Sequence, residues 1–512
     1  MGTDYFAIAI GSGIGGLSAA AALAKYGRSV LVLEQHYIAG GLTQTFTRNG
    51  FTWDVGLHYV GDMAKGNQTR RILDWLSDGA VNMQLIRGPY DIVHFPDGDF
   101  AFSPPASTLQ QDLKKRFPAS IRQIDALFEI MVGKRTAMQA PFFIRALPEP
   151  IKSLCRLFAR QTLQWYWSKT ILEALVSSFN DKKLRCILAT QWGDHGGCPA
   201  TGSFGMQLTI MNHFLNGAYY PANGAGVFAE ALIPVIKRAG GEIKTSALVK
   251  EIMIRDNRAF GVKLSDGTEI YSSRIISTTG ASYTVRHLLP PDVQSSAWAK
   301  EILSFEPNVG HLCLYLAFQG DIAAAGATAA NHWFYENYSL NNDLWSVPEN
   351  PHMSPVFVSF PSLKDASHDQ GPMRKHTGQM LVFVNKTLFA KWDSSDYGDR
   401  PDSYKSFKKS VENRLINAFI SFFPAIAPMI VYHELSTPLT TAHFIARDHG
   451  ASYGLETTPK RFLSGSLSMK TPIKGLYLGG QDVACPGIAG AMLGGALAAA
   501  AVDPRIFLKL LL

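Results

Sequence analysis

Near the amino end, the run Gly11-Ser12-Gly13-Ile14-Gly15-Gly16 is followed, 18 residues after Gly16, by an isolated acid, Glu34. Glycines at that spacing let a backbone turn sharply at Gly11, approach a bulky anion at Gly13, and pack a helix against a strand at Gly16. The amides around Ile14 and Gly15 then open a helix whose positive end faces the anion. Glu34 stands where a carboxylate accepts hydrogen bonds from ribose hydroxyls. A dinucleotide uses all of these features, with its pyrophosphate on the glycine turn and its ribose on the acid.

The flanking sequence supplies the elements that must position such a site. Tyr5–Ile10 is an apolar run of strand length, Leu17–Tyr26 an alanine-rich helix closed by Gly27, and Ser29–Leu33 a second buried strand that carries Glu34 at its carboxyl end. A second glycine cluster lies far away in the chain. Gly475–Asp482 reads as a strand ending in Gly479-Gly480 and an acid, and Gly487-Ile488-Ala489-Gly490 leads through Gly494-Gly495 to an alanine helix. Phe6–Ala24 and Val483–Val502 are each free of charge over about 20 residues, the length of a membrane span. Their repeated glycines and Pro486 argue for nucleotide-binding elements instead. Gly224-Ala225-Gly226-Val227-Phe228-Ala229 also fits a G-x-G-x-x-A pattern. No buried strand precedes it, so it reads as a turn before a helix over 227–239.

The interval from Glu34 to Gly40-Gly41, and Gly479-Gly480-Gln481-Asp482 with Gly487 to Gly495, resemble FAD oxidoreductases of the two-dinucleotide-binding-domain type. Further blocks are Phe51–Gly61, Gly193-Asp194-His195-Gly196, Asn212–Pro221, Thr437-Pro438-Leu439-Thr440 and Gly450–Gly454. They narrow the resemblance to the retinol saturase branch of the phytoene desaturase and carotenoid isomerase family, and they run through nearly the whole chain in family order. The resemblance implies an α/β fold: a Rossmann-like FAD-binding domain with an inserted α+β substrate-binding domain. The first would comprise residues 1–75, 222–280 and 474–502, the second, also membrane-docking, 80–220 and 281–470, with an apolar tail at 503–512. It implies noncovalent FAD against Gly11, Gly13, Ile14, Gly15, Gly16, Glu34, Gln35, Gly41, Leu42, Val249, Gly480, Asp482, Gly487, Ile488 and Ala489. It also implies a long apolar polyene or acyl-lipid substrate, whose double bonds are saturated, desaturated or isomerised. With no separate nicotinamide-binding domain in the sequence, NAD(P)H would serve only as a transient electron donor. Two features depart from the family. Met1 to Asp4 carry no basic lead where vertebrate saturases have a membrane or signal region, and residues 323–370 are unlike the family blocks, so a polyene other than retinol is expected.

A flavin exchanging a hydride with a carbon–carbon double bond leaves one proton for the protein to supply or remove. The family blocks offer His58, His195, Tyr219 and Tyr453 for that task, with Asp194, Tyr220 and His443 behind them. The plainer reading of His58 is a histidine holding a loop carbonyl, and that of Asp194 an acid stabilising a glycine-rich turn. Arg447 would bind a carboxylate or a nicotinamide phosphate, or pair at the surface. No G-x-S-x-G elbow or H-E-x-x-H is present, and the five cysteines are scattered without a C-x-x-C, so neither a hydrolase nor a metal site is expected. Cys485 beside the second glycine cluster leaves the flavin amine oxidases as an alternative. Non-catalytic prenyl-protein chaperones of the same fold are another.

The chain has 512 residues, a net charge of +7, 46% hydrophobic and 17% charged residues, enough apolar content for two or three packed units. The charge is concentrated: from Ile130 to Leu172 seven basic residues accompany a single acid, Glu149. Ile151, Leu154, Cys155 and Phe158 share one helical face, Lys152, Arg156 and Arg160 another, and Trp165-Tyr166-Trp167 follow. This basic amphipathic segment, 134–169, predicts a protein held peripherally on the cytoplasmic face of a membrane. The alternative is a helix packed on the core with a solvated basic face. No nucleic-acid-binding motif accompanies the charge, and the oligomeric state is left open.

Overall fold

The computed structural model describes residues 5–340, 344–345, 353, 355–445 and 450–511. Met1 to Asp4 and Arg447 lie outside the described residues. Short runs without a polar face form strands buried on both sides, which suits a parallel sheet covered by helices. Ala7–Ile10, Val30–Leu33 and Ile275–Ser277 are such runs, buried along their whole length. With Glu242–Lys244 and Leu476–Leu478 they make a five-stranded parallel sheet in the order Glu242–Lys244, Val30–Leu33, Ala7–Ile10, Ile275–Ser277, Leu476–Leu478. Beside it, Val249–Arg255, Arg258–Leu264 and Glu269–Tyr271 form a small antiparallel sheet with its turn at Asp266-Gly267.

Two helices start inside the glycine motifs rather than after them. The helix expected from Leu17 runs over Ile14–Ala24, and the one expected beyond Gly495 runs over Gly487–Val502. Tertiary packing overrides the poor helix propensity of glycine here. A Cβ at Gly495 would overlap the Gly15 carbonyl, and one at Gly494 the Gly480 carbonyl, so only glycine admits this crossing. The two charge-free stretches are thus internal elements of the fold. No described helix is long and apolar enough to cross a membrane.

A mixed seven-stranded sheet has the order Ile430–Ser436, Gly310–Gln319, Lys375–Val384, Val356–Ser359, Asn331–Phe334, Asp91–Phe95, Gly98–Phe102. All neighbours are antiparallel except Asn331–Phe334 beside Asp91–Phe95. Helix Asp402–Phe422 buries Val411, Leu415 and Phe419 in an apolar cluster with this sheet. A larger core runs from the parallel sheet to Trp333, Phe357 and Phe383 of the mixed one. It also takes in helices Arg135–Ile144 and Phe204–Phe214, which pack together. The functional cavity lies within this shared core.

Candidate active site

A cavity of about 330 Å³ is lined by the glycine turn, by the second glycine cluster and by the mixed sheet. Gly11, Gly13, Ile14, Gly15, Glu34, Gln35, Gly41, Leu42, Val249, Gly480, Gly487, Ile488 and Ala489 all line it. A Cβ at Gly13 or Gly487 would meet no protein atom within 4 Å, so the backbone there faces open space, as a cradle for a pyrophosphate requires. Glu34 is buried at its edge. One carboxylate oxygen accepts from Ser12 N at 2.8 Å and Ser12 Oγ at 2.7 Å, the other from His36 N at 2.8 Å, which fixes the carboxylate in place. Gly16 lies behind the cavity, where a Cβ would overlap the Gly11 carbonyl.

Asp482 departs from its expected place. It does not line the cavity; Oδ2 accepts from Ala281 N at 2.8 Å and Oδ1 from Leu455 N at 3.1 Å, tying together two loops beyond the parallel strands. An acid at a strand end reads alike in both roles, because only the direction of its side chain differs.

Of the four acid–base candidates, two reach the cavity. His58 lines it with Nδ1 buried and without a partner among the described residues, its ring edge-on to Phe357 at 4.9 Å. Burial, then the charges of Lys364 and His311, hold its pKa well below the usual histidine range. Tyr453 lines it too, its phenol pushed up chiefly by burial. His195 and Tyr219 do not line the cavity. Gly197 N–H donates to His195 Nδ1 at 3.1 Å, which leaves Nε2 to donate to Gln207 Oε1 at 3.0 Å. Burial lowers this histidine to about 4, so it stays neutral and holds the turn. Tyr219 lies on strand Ala218–Pro221, paired with Val60 and Leu85. Tyr220 donates to Asp54, and His443 stacks on Tyr397 at 4.4 Å; neither faces the cavity.

The neighbour of His195 makes the opposite choice. Asp194 lines the cavity, and the Tyr59 hydroxyl stands 2.8 Å from its Oδ2 and 3.1 Å from Oδ2 of Asp91. Asp91, fully buried, also accepts from Gln191 Nε2 at 3.0 Å, Asn331 Nδ2 at 3.2 Å and Trp333 Nε1 at 3.2 Å. Lys364 donates to Asn331 Oδ1, to Ser359 Oγ at 2.7 Å and to the His58 carbonyl at 2.8 Å. Burial brings this lysine down to about 7. Sequence reasoning missed Asp91 and Lys364, whose partners Asn331, Trp333 and Ser359 come from the stretch unlike the family blocks. One signal was available: Asp91 shares the inward register of Val93 and Phe95, a charge on the core face of an alternating strand.

The basic segment behaves as a surface helix with its apolar side outward. None of Ile151–Thr162 is buried, and Leu157, Phe158 and Trp165 are 62%, 79% and 69% exposed. Lys152 pairs with Glu149 at 2.7 Å and Arg156 donates to the Ser464 carbonyl at 2.8 Å, so these two cations turn toward the protein. This overturns the core-packed alternative. Trp167 is also corrected: it is fully buried, with ring centroids 4.6 Å from Phe462 and 5.6 Å from Phe142, and is no interfacial aromatic. The preceding helix, Arg135–Ile144, contributes Arg135, Met138, Gln139 and Phe142 to the cavity wall.

The sequence profile of the NAD(P)-binding Rossmann-like domain matches residues 10–76, the stretch that carries the turn, the helix and the acid. The chain is 33% identical to the all-trans-retinol 13,14-reductase of Danio rerio across 96% of its own length and 84% of that protein's. The chain belongs to the all-trans-retinol 13,14-reductase family. The prolycopene isomerase of Daucus carota is 28% identical over 94% of this chain and 76% of its own. A solved putrescine oxidase variant, 14% identical, superposes with a TM-score of 0.66 over 98% of this chain and 99% of its own, a likeness of fold. In this member of the retinol-reductase family, the blocks Phe51–Gly61 and Gly193–Gly196 deliver His58, Tyr59 and Asp194 to one cavity wall.

Proposed function

We propose that this chain is an FAD-dependent oxidoreductase that acts on a carbon–carbon double bond of a long, apolar retinoid- or carotenoid-like polyene. The observation that carries this reading is continuity: the cavity that holds the glycine cradle also holds Met138, Phe142, Met206, Ile210, Leu288 and Phe383, together with His58 and Tyr453. The open backbone at Gly13 and Gly487 fits a pyrophosphate, and Glu34 fits a ribose. FAD, bound noncovalently, would supply or accept one hydrogen with its electron pair. The protein's own part is to bind the polyene, exclude water and hold a proton. Saturation is the first reading, since the 33%-identical relative is named a reductase; isomerisation is second, on the prolycopene isomerase. NAD(P)H is assigned the part of a transient reductant. Residues 1–75, 222–280 and 474–502 are assigned to the cofactor unit, and 80–220 and 281–470 to the substrate unit.

The same reading places the protein peripherally on the cytoplasmic face of a membrane, through the outward apolar side of Ile151–Thr162 and Trp165. A polyene is nearly insoluble, and the helix next to this face is a wall of the cavity. The deciding experiment starts from protein purified with its flavin band, photoreduced without oxygen and incubated with retinoids and carotenoids. Mass spectrometry should show a product heavier by one H2; an unchanged mass with altered retention indicates isomerisation. Protein that binds no flavin, or that leaves every polyene untouched, sinks the reading.

A further inference from the structure

We propose that Asp194 is the proton donor to the double bond, its proton held in place by Tyr59 and the ionised Asp91 behind it. This rests on the polyene reading above. The argument is an inventory of hydrogens. Tyr59 has one hydroxyl hydrogen and stands within hydrogen-bond distance of two carboxyl oxygens, Asp194 Oδ2 at 2.8 Å and Asp91 Oδ2 at 3.1 Å. It donates to only one, so the second contact is a hydrogen bond only if that carboxyl brings its own proton. Asp91 has no room for one. Its Oδ2 faces Tyr59 and Gln191 Nε2, its Oδ1 faces Asn331 Nδ2 and Trp333 Nε1, and an ionised carboxylate has about four acceptor sites to give. Asp194 has Tyr59 as its one hydrogen-bond partner among the described residues. The proton therefore sits on Asp194, in its hydrogen bond to Tyr59 at the cavity wall.

The electrostatics agree. Burial raises both carboxyls, and the charge of Asp91 adds to the rise at Asp194, which stands well above the usual carboxylate range. The other titratable groups around it are Tyr59, Tyr90, Tyr335, Tyr453 and Lys364. The phenols are all raised and stay neutral, and Lys364 spends its hydrogens on Asn331, Ser359 and the His58 carbonyl rather than on Asp194. Saturation adds two hydrogens and two electrons. One hydrogen arrives with the electron pair from the reduced dinucleotide, recharged by a nicotinamide-class reductant. The other leaves Asp194 as a proton to the second carbon, and the carboxylate regains a proton from solvent. Tyr59 and Asp91 are positioning residues in this step.

Infrared spectroscopy of the flavin-loaded protein at neutral pH tests where the proton is. A protonated-carboxyl carbonyl band should be present in wild type, lost in Asp194→Asn, and shifted but retained in Tyr59→Phe. Turnover on a polyene should fall about 100-fold or more in Asp194→Asn with KM nearly unchanged, and its high-pH limb should flatten. A band that survives Asp194→Asn, or turnover within about twofold of wild type, overturns the proposal; so does a band unmoved in Tyr59→Phe, which serves where Asp194→Asn fails to fold. Failure of the polyene reading looks different: wild type converts no retinoid or carotenoid, while the infrared result still locates the proton.

Discussion

Individual residues of one type do unlike work here, and substitutions separate the roles. Gly13→Val places a side chain where no protein atom lies within 4 Å of a Cβ, so the melting temperature should stay near that of flavin-free wild type while bound flavin, read on denaturation, drops at least tenfold. Gly16→Ala instead overlaps the Gly11 carbonyl, and should cost roughly 1–3 kcal/mol of stability in a denaturant titration. His195 makes a pH prediction. Its pKa is lowered from 6.5 to about 4, so the unfolded chain binds its proton first, and the stability tied to the neutral ring is intact above 6.5 and lost as pH falls toward 4. His195→Gln should cost about 1–3 kcal/mol at neutral pH, with a deficit relative to wild type that shrinks between pH 6.5 and 4, measured by unfolding at several pH values. In sequence His195 stood ahead of Asp194, which read as an acid stabilising a glycine-rich turn. Adjacent side chains on a tight turn leave in different directions, and nothing local says which one meets the cavity.

Elements were more legible than side chains. The strand, turn, helix and acid of the amino end follow from spacing, and so does the amphipathic period of Ile151–Thr162. What the period left open was which face meets the protein. Because Leu157, Phe158 and Trp165 are exposed, the triple change to serine should leave the fold intact and abolish cosedimentation with anionic liposomes. Equal sedimentation of variant and wild type would remove the docking role. Reversing Lys152 and Arg156 is a poorer test, since both bond to the protein itself and their loss disturbs the Ser464 loop. The helix Gly487–Val502 shows the converse. Its glycines read as a loop by propensity, yet a neighbouring backbone presses so close that only glycine fits.

At the scale of the whole molecule, the cavity joins stretches of chain that are far apart in sequence, from Gly11 to Leu493. A ligand that bridges them stabilises the folded state by mass action. Saturating FAD, at about 100 times its dissociation constant, should raise stability by roughly 2.7 kcal/mol, seen as a higher melting temperature and slower proteolysis; stripping the flavin should reverse both. The Rossmann-like unit and its dinucleotide cradle were legible in the chain because turn, helix and acid lie close together at a spacing set by strand and helix geometry, whereas the family was legible as a resemblance of blocks along nearly the whole chain. Tertiary packing alone turned Asp482 and His195 away from the cavity and into hydrogen bonds with the protein, put Trp167 in the core, and gathered Tyr59, Asp91, Asp194 and Lys364 into one network. Those four approach from a loop, a strand, the end of the 3-10 helix Thr190–Asp194 and a short helix. A polar side chain's role is set by the donors and acceptors around it, and the fold alone brings those together.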